Sequence, residues 1–259
     1  MLSAQRKDLI LDTLRLQGRV VAKDLAARLE LSEDTIRRDL RELAAEGRLH
    51  RVYGGALPAS PAMADFSARA EIGHAAKAEV GGLAAGLVLP GQTVAVDGGT
   101  TALQLARQLP RDLLATVVTH SPTIAVELAN HPTVDVVIVG GRLFKHSVVA
   151  TGAAAHEAIN RVSVDAFFMG VTGIHPEAGL TTGDADEAAI KRAWTQRAAE
   201  TFVLGSAEKI GAASPFEVVP LTAVTAVLTD SSAPARGVAE LRAAGVEVRQ
   251  PGDRLSVAR

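Results

Sequence analysis

Residues 93–101 read Thr93-Val94-Ala95-Val96-Asp97-Gly98-Gly99-Thr100-Thr101, and this stretch decides the fold of the larger part of the chain. The run 93–96 is β-prone and, after Thr93, unbroken by polar residues. A strand that is apolar on both faces belongs inside a parallel sheet covered by helices on either side. Asp97 and two glycines interrupt the strand, and a helical pattern then runs over 101–108. Strand, glycine turn and helix make one unit of a doubly covered sheet.

Working outward, the unit recurs. Apolar β-rich runs follow at 115–118, 134–139, 164–169, 201–204, 223–228 and 246–248. Helical stretches at 123–129, 154–159, 187–199 and 235–243 separate most of them, and a helix over about 72–87 precedes the first strand. This alternation predicts a mostly parallel α/β sandwich. Neither an internal repeat nor a low-complexity tract is present.

In open α/β sheets ligands bind at the carboxyl ends of strands. The first end offers Asp97, Gly98, Gly99, Thr100 and Thr101, where glycines permit close backbone approach and helix amides favour an anion. The second offers Thr119, His120 and Ser121, and the third Gly140, Gly141 and Arg142. One such loop is an ordinary tight turn; three donor-rich ends in succession point to a phosphate cradle and a phosphorylated small molecule. A further group is Thr181-Thr182 with Glu187 and Lys191, whose i, i+4 spacing also suits a surface helix pair. Lys209 is either an anion-binding or a solvated lysine.

The first 57 residues follow another pattern, three helices and a hairpin. Leu9, Ile10, Leu14 and Leu16 give the first helix an apolar face, closed by Gly18, and Leu25, Ala26 and Leu29 mark the second. Glu30-Leu31 makes a tight turn into Ser32, a good N-cap, with Glu33 and Asp34 in the first helical turn. Ile36, Leu40 and Leu43 recur at i, i+4 and i+7 and must face inward. The opposite side presents Thr35, Arg37, Arg38 and Arg41, Gly47 ends the helix, and 48–53 alternates like a strand before Gly54-Gly55 turns it back. This is a winged helix-turn-helix, with Ser32, Thr35, Arg37, Arg38 and Arg41 at the major groove and Arg51 on the wing. Arginines on a solvated helix face are commonplace. Helix lengths, turn, apolar register and wing together favour the DNA reader.

Composition narrows the field. With no cysteine, disulfides, thiolate nucleophiles and cysteine-ligated metals are excluded. Aromatics at 3% leave too few platforms for base stacking. The seven histidines are scattered singly and no HExxH occurs, so no metal is expected; no cofactor is expected either, since GxGxxG and Walker motifs are absent. Residues 1–58 carry 11 Lys and Arg against 9 Asp and Glu, and the remainder 16 against 20, a mildly basic head on an acidic body. Charges follow directly on Met1-Leu2-Ser3-Ala4-Gln5, so neither a signal peptide nor a membrane span is expected, and a cytoplasmic location is.

The chain resembles a DeoR-type bacterial transcription regulator. The residues that carry the resemblance are Ser32 to Leu40 (SEDTIRRDL), Arg51 to Ala56 (RVYGGA), Asp97 to Thr101, Val118 to Ser121, Val139 to Gly141, 165–173 (DAFFMGVTG) and 179–182 (GLTT). The resemblance implies domains at 1–57 (winged helix-turn-helix) and 72–259, joined by a linker over 58–71. The second domain is then a sugar-phosphate sensor of the ribose-phosphate isomerase/CoA-transferase-like type. It implies that the 97–101, 119–121 and 140–141 loops hold the effector phosphate and that Glu187 and Lys209 face the sugar. The chain departs from the family at His120, where Asn is usual, and at Ser206, where Asp is.

Isomerases of the related fold carry an Asp-Gly-Ala-Asp-Glu stretch where this chain has Met169-Gly170-Val171-Thr172-Gly173, so the resemblance implies no catalytic residue and no enzyme. A repressor of a sugar or nucleoside catabolic operon, relieved by a phosphorylated sugar, is expected. Its partners would be double-stranded operator DNA, the effector and further copies of itself, as dimer or tetramer. The alternative is an active phosphosugar isomerase-like enzyme with a DNA-binding head.

Overall fold

The computed structural model describes residues 2–60 and 66–253. Residues 61–65 of the expected linker, Met1, residues 254–259 and the side chains of Arg15, Leu16 and Ala68 lie outside that description. In the head, α1 (Ser3–Gln17), α2 (Ala22–Leu29) and α3 (Glu33–Ala45) pack around Ile10, Leu14, Leu25, Ile36, Leu40 and Leu43, all buried. The inward register of α3 is the expected one. A two-residue strand β1 (Val20–Val21), too short to show as a pattern, joins β2 (Leu49–Val52) and β3 (Gly55–Pro58) in an antiparallel sheet of order β1-β3-β2. A Cβ on Gly55 would lie 1.8 Å from the Val20 carbonyl oxygen, so the central strand of the wing can carry only glycine there.

Helix α4 (Phe66–Glu71) falls within the expected linker and leads into α5 (His74–Ala85). The body is a parallel sheet built from β4 (Thr93–Val96), β5 (Ala115–Thr119), β6 (Val134–Ile138), β9 (Val164–Gly170), β12 (Ala198–Leu204), β14 (Ala226–Leu228) and β15 (Glu247–Arg249). Its order is β15-β14-β12-β9-β4-β5-β6 and every pairing is parallel. The α/β sandwich is therefore the fold found. Helices α5, α6 (Thr100–Arg107) and α7 (Pro122–Leu128) cover one face, and α8 (Ala153–Asn160), α9 (Ala185–Arg197) and α10 (Ala235–Ala243) the other. Strand β9 shows why its sequence is apolar over 166–169: Phe167 and Met169 enter one core, Ala166 and Phe168 the other.

Two features have no counterpart in the expectation. One is the antiparallel hairpin β7 (Arg142–Phe144) and β8 (Val149–Thr151). The other is a small antiparallel sheet of β10 (Gly173–His175), β11 (Gly179–Thr182) and β13 (Phe216–Val219). From β4 the chain proceeds outward to β5 and β6, then returns to β9 on the other side of β4. The carboxyl ends of β4 and β9 thus flank the switch point of the sheet, where a crevice must open.

Candidate ligand cleft and nucleic-acid interface

The crevice is present and its walls come from six parts of the chain. Gly98, Gly99, Thr100 and Thr101 follow β4, and Gly170, Val171 and Thr172 follow β9. Thr182, Glu187 and Lys191 come from β11 and α9, and Glu208 and Lys209 from a short 3-10 turn after β12. Arg69, Ile72 and Lys77 close it from α4, its following turn and α5, with Ser147 from the β7–β8 loop.

Asp97 supports the loop from beneath. It is fully buried, its Oδ1 accepting from the Gly98 amide (2.7 Å) and lying 3.2 Å from His120 Nε2. Its Oδ2 accepts from the Gly170 amide at 2.9 Å and from the Lys191 ammonium. Burial alone would raise this carboxyl's pKa, but the Lys191 charge and the His120 hydrogen bond outweigh it and hold the group well below the usual carboxylate range. The indole N–H of Trp194 donates to His120 Nδ1 at 3.2 Å, leaving Nε2 to carry the proton toward Asp97. His120, where the family usually has Asn, is thus a buried strut between α9 and the β4 loop. Gly98 is fixed by crowding, since a Cβ would meet Val149 Cγ1 at 2.2 Å, and Gly99 by its φ of 108°.

Lys209 is buried and donates to the Leu204 carbonyl (3.0 Å) and the Thr101 hydroxyl (3.4 Å). Desolvation pushes its pKa down to about 8; the Glu208 carboxylate opposes the shift, while Lys77, Arg69 and Lys191 add to it. Lys77, also buried, donates to the Arg69 carbonyl, and burial lowers its pKa too. Glu187 lies 3.9 Å from Lys191 and accepts from the Thr182 hydroxyl at 3.3 Å. This pair, equally compatible with a surface helix, is in fact buried. Ser206, where the family usually has Asp, donates to Glu208 at 2.7 Å.

Of the residues expected to hold a ligand, Gly98, Gly99, Thr100, Thr101, Glu187 and Lys209 line one cleft. Asp97, Thr119, His120, Ser121, Gly140 and Gly141 do not. Thr119 donates to the Val96 carbonyl and accepts from the Ser121 amide, and Ser121 is bonded to Thr123 and Val148, so both hold the β5 turn together. Gly141 packs against β8 and α8, where a Cβ would stand 2.8 Å from the Thr151 carbonyl oxygen. Arg69, Lys77, Ser147 and Glu208 were not singled out, and nothing in their local sequence marks them. The stretch 169–173 holds no carboxylate, yet Glu187 and Glu208 bring two into the cleft from elsewhere. Among the described residues no cluster of His, Asp and Glu could hold a metal ion.

On the head, Ser32 caps α3, accepting from the Thr35 amide at 3.2 Å, and its hydroxyl is 2.8 Å from that of Thr35. Arg37, Arg38 and Arg41 are exposed on α3 and Arg51 on β2. Arg37 is held by Glu33 at 2.7 Å and shares a groove between α3 and the wing with Arg51 and Tyr53. Buried Asp39 pairs with Arg6, and Lys7 reaches Glu42 and Glu46, so α1 is clamped along the back of α3. Tyr53 at the wing tip is fully exposed and was not anticipated.

A winged helix with an exposed arginine face, carried on an α/β body with a cation-lined cleft at its switch point, has the build of a ligand-sensing DNA-binding regulator. Residues 6–61 match the family model "DeoR-like helix-turn-helix domain" and residues 73–231 the model "DeoR C terminal sensor domain". The chain belongs to the DeoR family of transcription regulators. It is 31% identical to the HTH-type transcriptional regulator GlpR of Haloferax volcanii, over 96% of this chain and 98% of that one. It is 29% identical to the HTH-type transcriptional repressor GlcR of Bacillus subtilis, over 89% of each. Solved structures similar to it include ribose 5-phosphate isomerase A from Methanocaldococcus jannaschii (TM-score 0.36, 17% identity, 49% of this chain and 50% of that one). Another is eIF2B delta from Chaetomium thermophilum (TM-score 0.46, 15% identity, 61% and 57%). The sequence relatives are named as regulators, and the protein is a regulator rather than an enzyme. Among the described residues no helix is long and apolar enough to cross a membrane.

Proposed function

We propose that this protein is a repressor whose cleft binds a phosphorylated sugar, and that the bound ester lowers its affinity for double-stranded operator DNA. The observation that carries the reading is the convergence of Arg69, Lys77, Lys191 and Lys209 on the amino-terminal turn of α6. Backbone amides and two threonine hydroxyls stand beside them there. Two buried lysines whose ammonium forms are disfavoured by burial call for an anion. Glu187 and Glu208 supply acceptors for hydroxyl groups, which suits a sugar rather than a bare phosphate. The head uses Arg37, Arg38, Arg41 and Arg51 toward DNA, and pairing two heads on two half-sites requires a dimer or tetramer.

Fluorescence anisotropy on DNA from the protein's own upstream region, titrated with sugar phosphates and their free sugars, tests this. One ester should release the DNA while its free sugar does not. Thr100→Val with Thr101→Val should abolish the response and leave operator affinity unchanged. Loss of DNA binding in that folded variant, or release by no ester, contradicts the reading.

A further inference from the structure

The seven-stranded sheet has two edges, and they are finished differently. At one, β15 is three residues long and carries Glu247 and Arg249, bonded to each other at 2.8 Å. A short strand bearing charges is the usual protection of a free edge. At the other, β6 is five residues long and reads Val134-Asp135-Val136-Val137-Ile138, with neither lysine nor proline. Val134 and Val136 pack into the core beneath α7, and Val139, on the opposite face, into the core beneath α8. Val137 and Ile138, one on each face, are 47% and 56% exposed, and Val126 on the adjoining α7 is exposed as well. The Val139 amide donates to the Thr119 carbonyl of β5 at 2.8 Å. Strand alternation then turns the amides and carbonyls of Val136 and Ile138 outward. Among the described residues no strand pairs with them.

We infer that β6 is an interface between two copies of this chain. The strand pairs antiparallel with the same strand of a second copy about a twofold axis, and two sheets become one. The charge pattern selects a second copy as the occupant. Asp135 is the only charged residue from 133 to 141. An axis at Val137 sets Val137 against itself, Val136 against Ile138 and Asp135 against Val139, so no like charges meet. The outward groups of Val136 and Ile138 then bond to each other across the axis. An axis one residue earlier would oppose Val137 to Asp135, and one earlier still would oppose Asp135 to itself. Such a contact is isologous and closes on two copies, so the apolar edge is consumed rather than left to grow. No residue of β6 lines the cleft, and pairing is therefore separable from ligand binding. The inference goes beyond the proposed function, which calls for paired heads without assigning the surface that pairs them.

The test uses the full-length chain. Sedimentation velocity over a range of concentrations is measured for the wild type, Val137→Lys, Ile138→Lys and, as a control, the likewise exposed Leu89→Lys. Both edge positions are exposed in the single chain, so circular dichroism and thermal unfolding should match the wild type. The expected result is self-association weaker by at least about a hundredfold in each edge variant and unchanged in the control. Because the protein has no cysteine, Val137→Cys probes the axis directly. Residues opposed in a non-hydrogen-bonded antiparallel pair have Cα atoms about 4.5 Å apart, within reach of a disulfide. Mild oxidation should link Val137→Cys into dimers and leave Leu89→Cys unlinked. Should a lysine variant lose its fold, the cysteine linkage decides. A wild type that self-associates, with folded edge variants associating equally well or Val137→Cys linking no faster than Leu89→Cys, overturns this inference and spares the proposed function. A wild type that is monomeric at every concentration, on DNA as well as off it, overturns this inference and the pairing of heads together.

Discussion

Asp97 ends β4 with both carboxylate oxygens engaged, one toward the Gly98 amide and His120, the other toward the Gly170 amide and Lys191. It therefore ties together the two strand ends that form the cleft. Removing its charge leaves the Lys191 ammonium buried with only Glu187 at 3.9 Å, so Asp97→Asn should cost about 3–5 kcal/mol in denaturant unfolding. A loss below about 1 kcal/mol would show the pair to be dispensable. The carboxyl titrates below its unfolded value, so its contribution is complete above about pH 5 and is lost as pH falls through the acid range. Lys209 behaves in the opposite sense. With its pKa near 8 against about 10.4 unfolded, the unfolded chain holds more protons between those values, and stability from this group rises with pH there. Anion binding needs the ammonium, so effector affinity should fall about tenfold per pH unit above pH 8. Calorimetric dissociation constants between pH 7 and 9.5 decide this; a flat profile removes Lys209 from the anion site.

At the scale of elements, helix α3 is the part that must meet DNA, and its four-residue periodicity separates its tasks. Ile36, Leu40 and Leu43 are buried, Asp39 is locked to Arg6, and Arg38 is left exposed between them. Arg37, by contrast, must release Glu33 before it can bond a phosphate. Arg38→Ala should therefore weaken operator binding and, if Arg38 contacts phosphate, flatten the plot of log affinity against log salt by about one unit. An unchanged affinity and slope would move the reading face away from it. Most of the parallel strands were legible because they carry a run of at least three apolar residues, as β9 does over 166–169, and the covering helices because they separate those runs. Strand β1 and the β7–β8 and β10–β11 hairpins were not, their strands being only two to four residues long, and β1 pairs with a strand remote in sequence. The cleft was half legible for the same reason. Gly98 to Thr101 announce themselves as a strand-to-helix turn, whereas Lys77 sits in a helix of alanines and reads as an ordinary solvated lysine. What makes it a cleft residue is α4 arriving beside it. His120 and Ser121 had the right chemistry at the right strand end, but Asp97, Trp194 and Thr123 take up their donors and acceptors.

At the scale of the whole molecule, two binding surfaces share one chain, and a thermodynamic constraint links them. If the effector weakens operator binding by some factor, operator DNA must weaken effector binding by the same factor, whatever path carries the coupling. Arg69 and Ile72, on the stretch between head and body, line the cleft, and Ser60 is bonded to Thr172 in the cleft wall. The effector can act only through its different affinities for the two arrangements. For a tenfold effect on DNA the difference is about 1.4 kcal/mol, the scale of a single charge-assisted hydrogen bond. The prediction is quantitative. Measure the dissociation constant of the releasing ester on free protein and on protein saturated with operator, and compare the ratio with the shift in operator affinity at saturating ester. Equal ratios establish that head and cleft belong to one equilibrium. If the ester fails to bind operator-saturated protein at all, its apparent affinity falling without limit as operator is raised, it competes at the head itself, and the cleft is not the place where the signal is received.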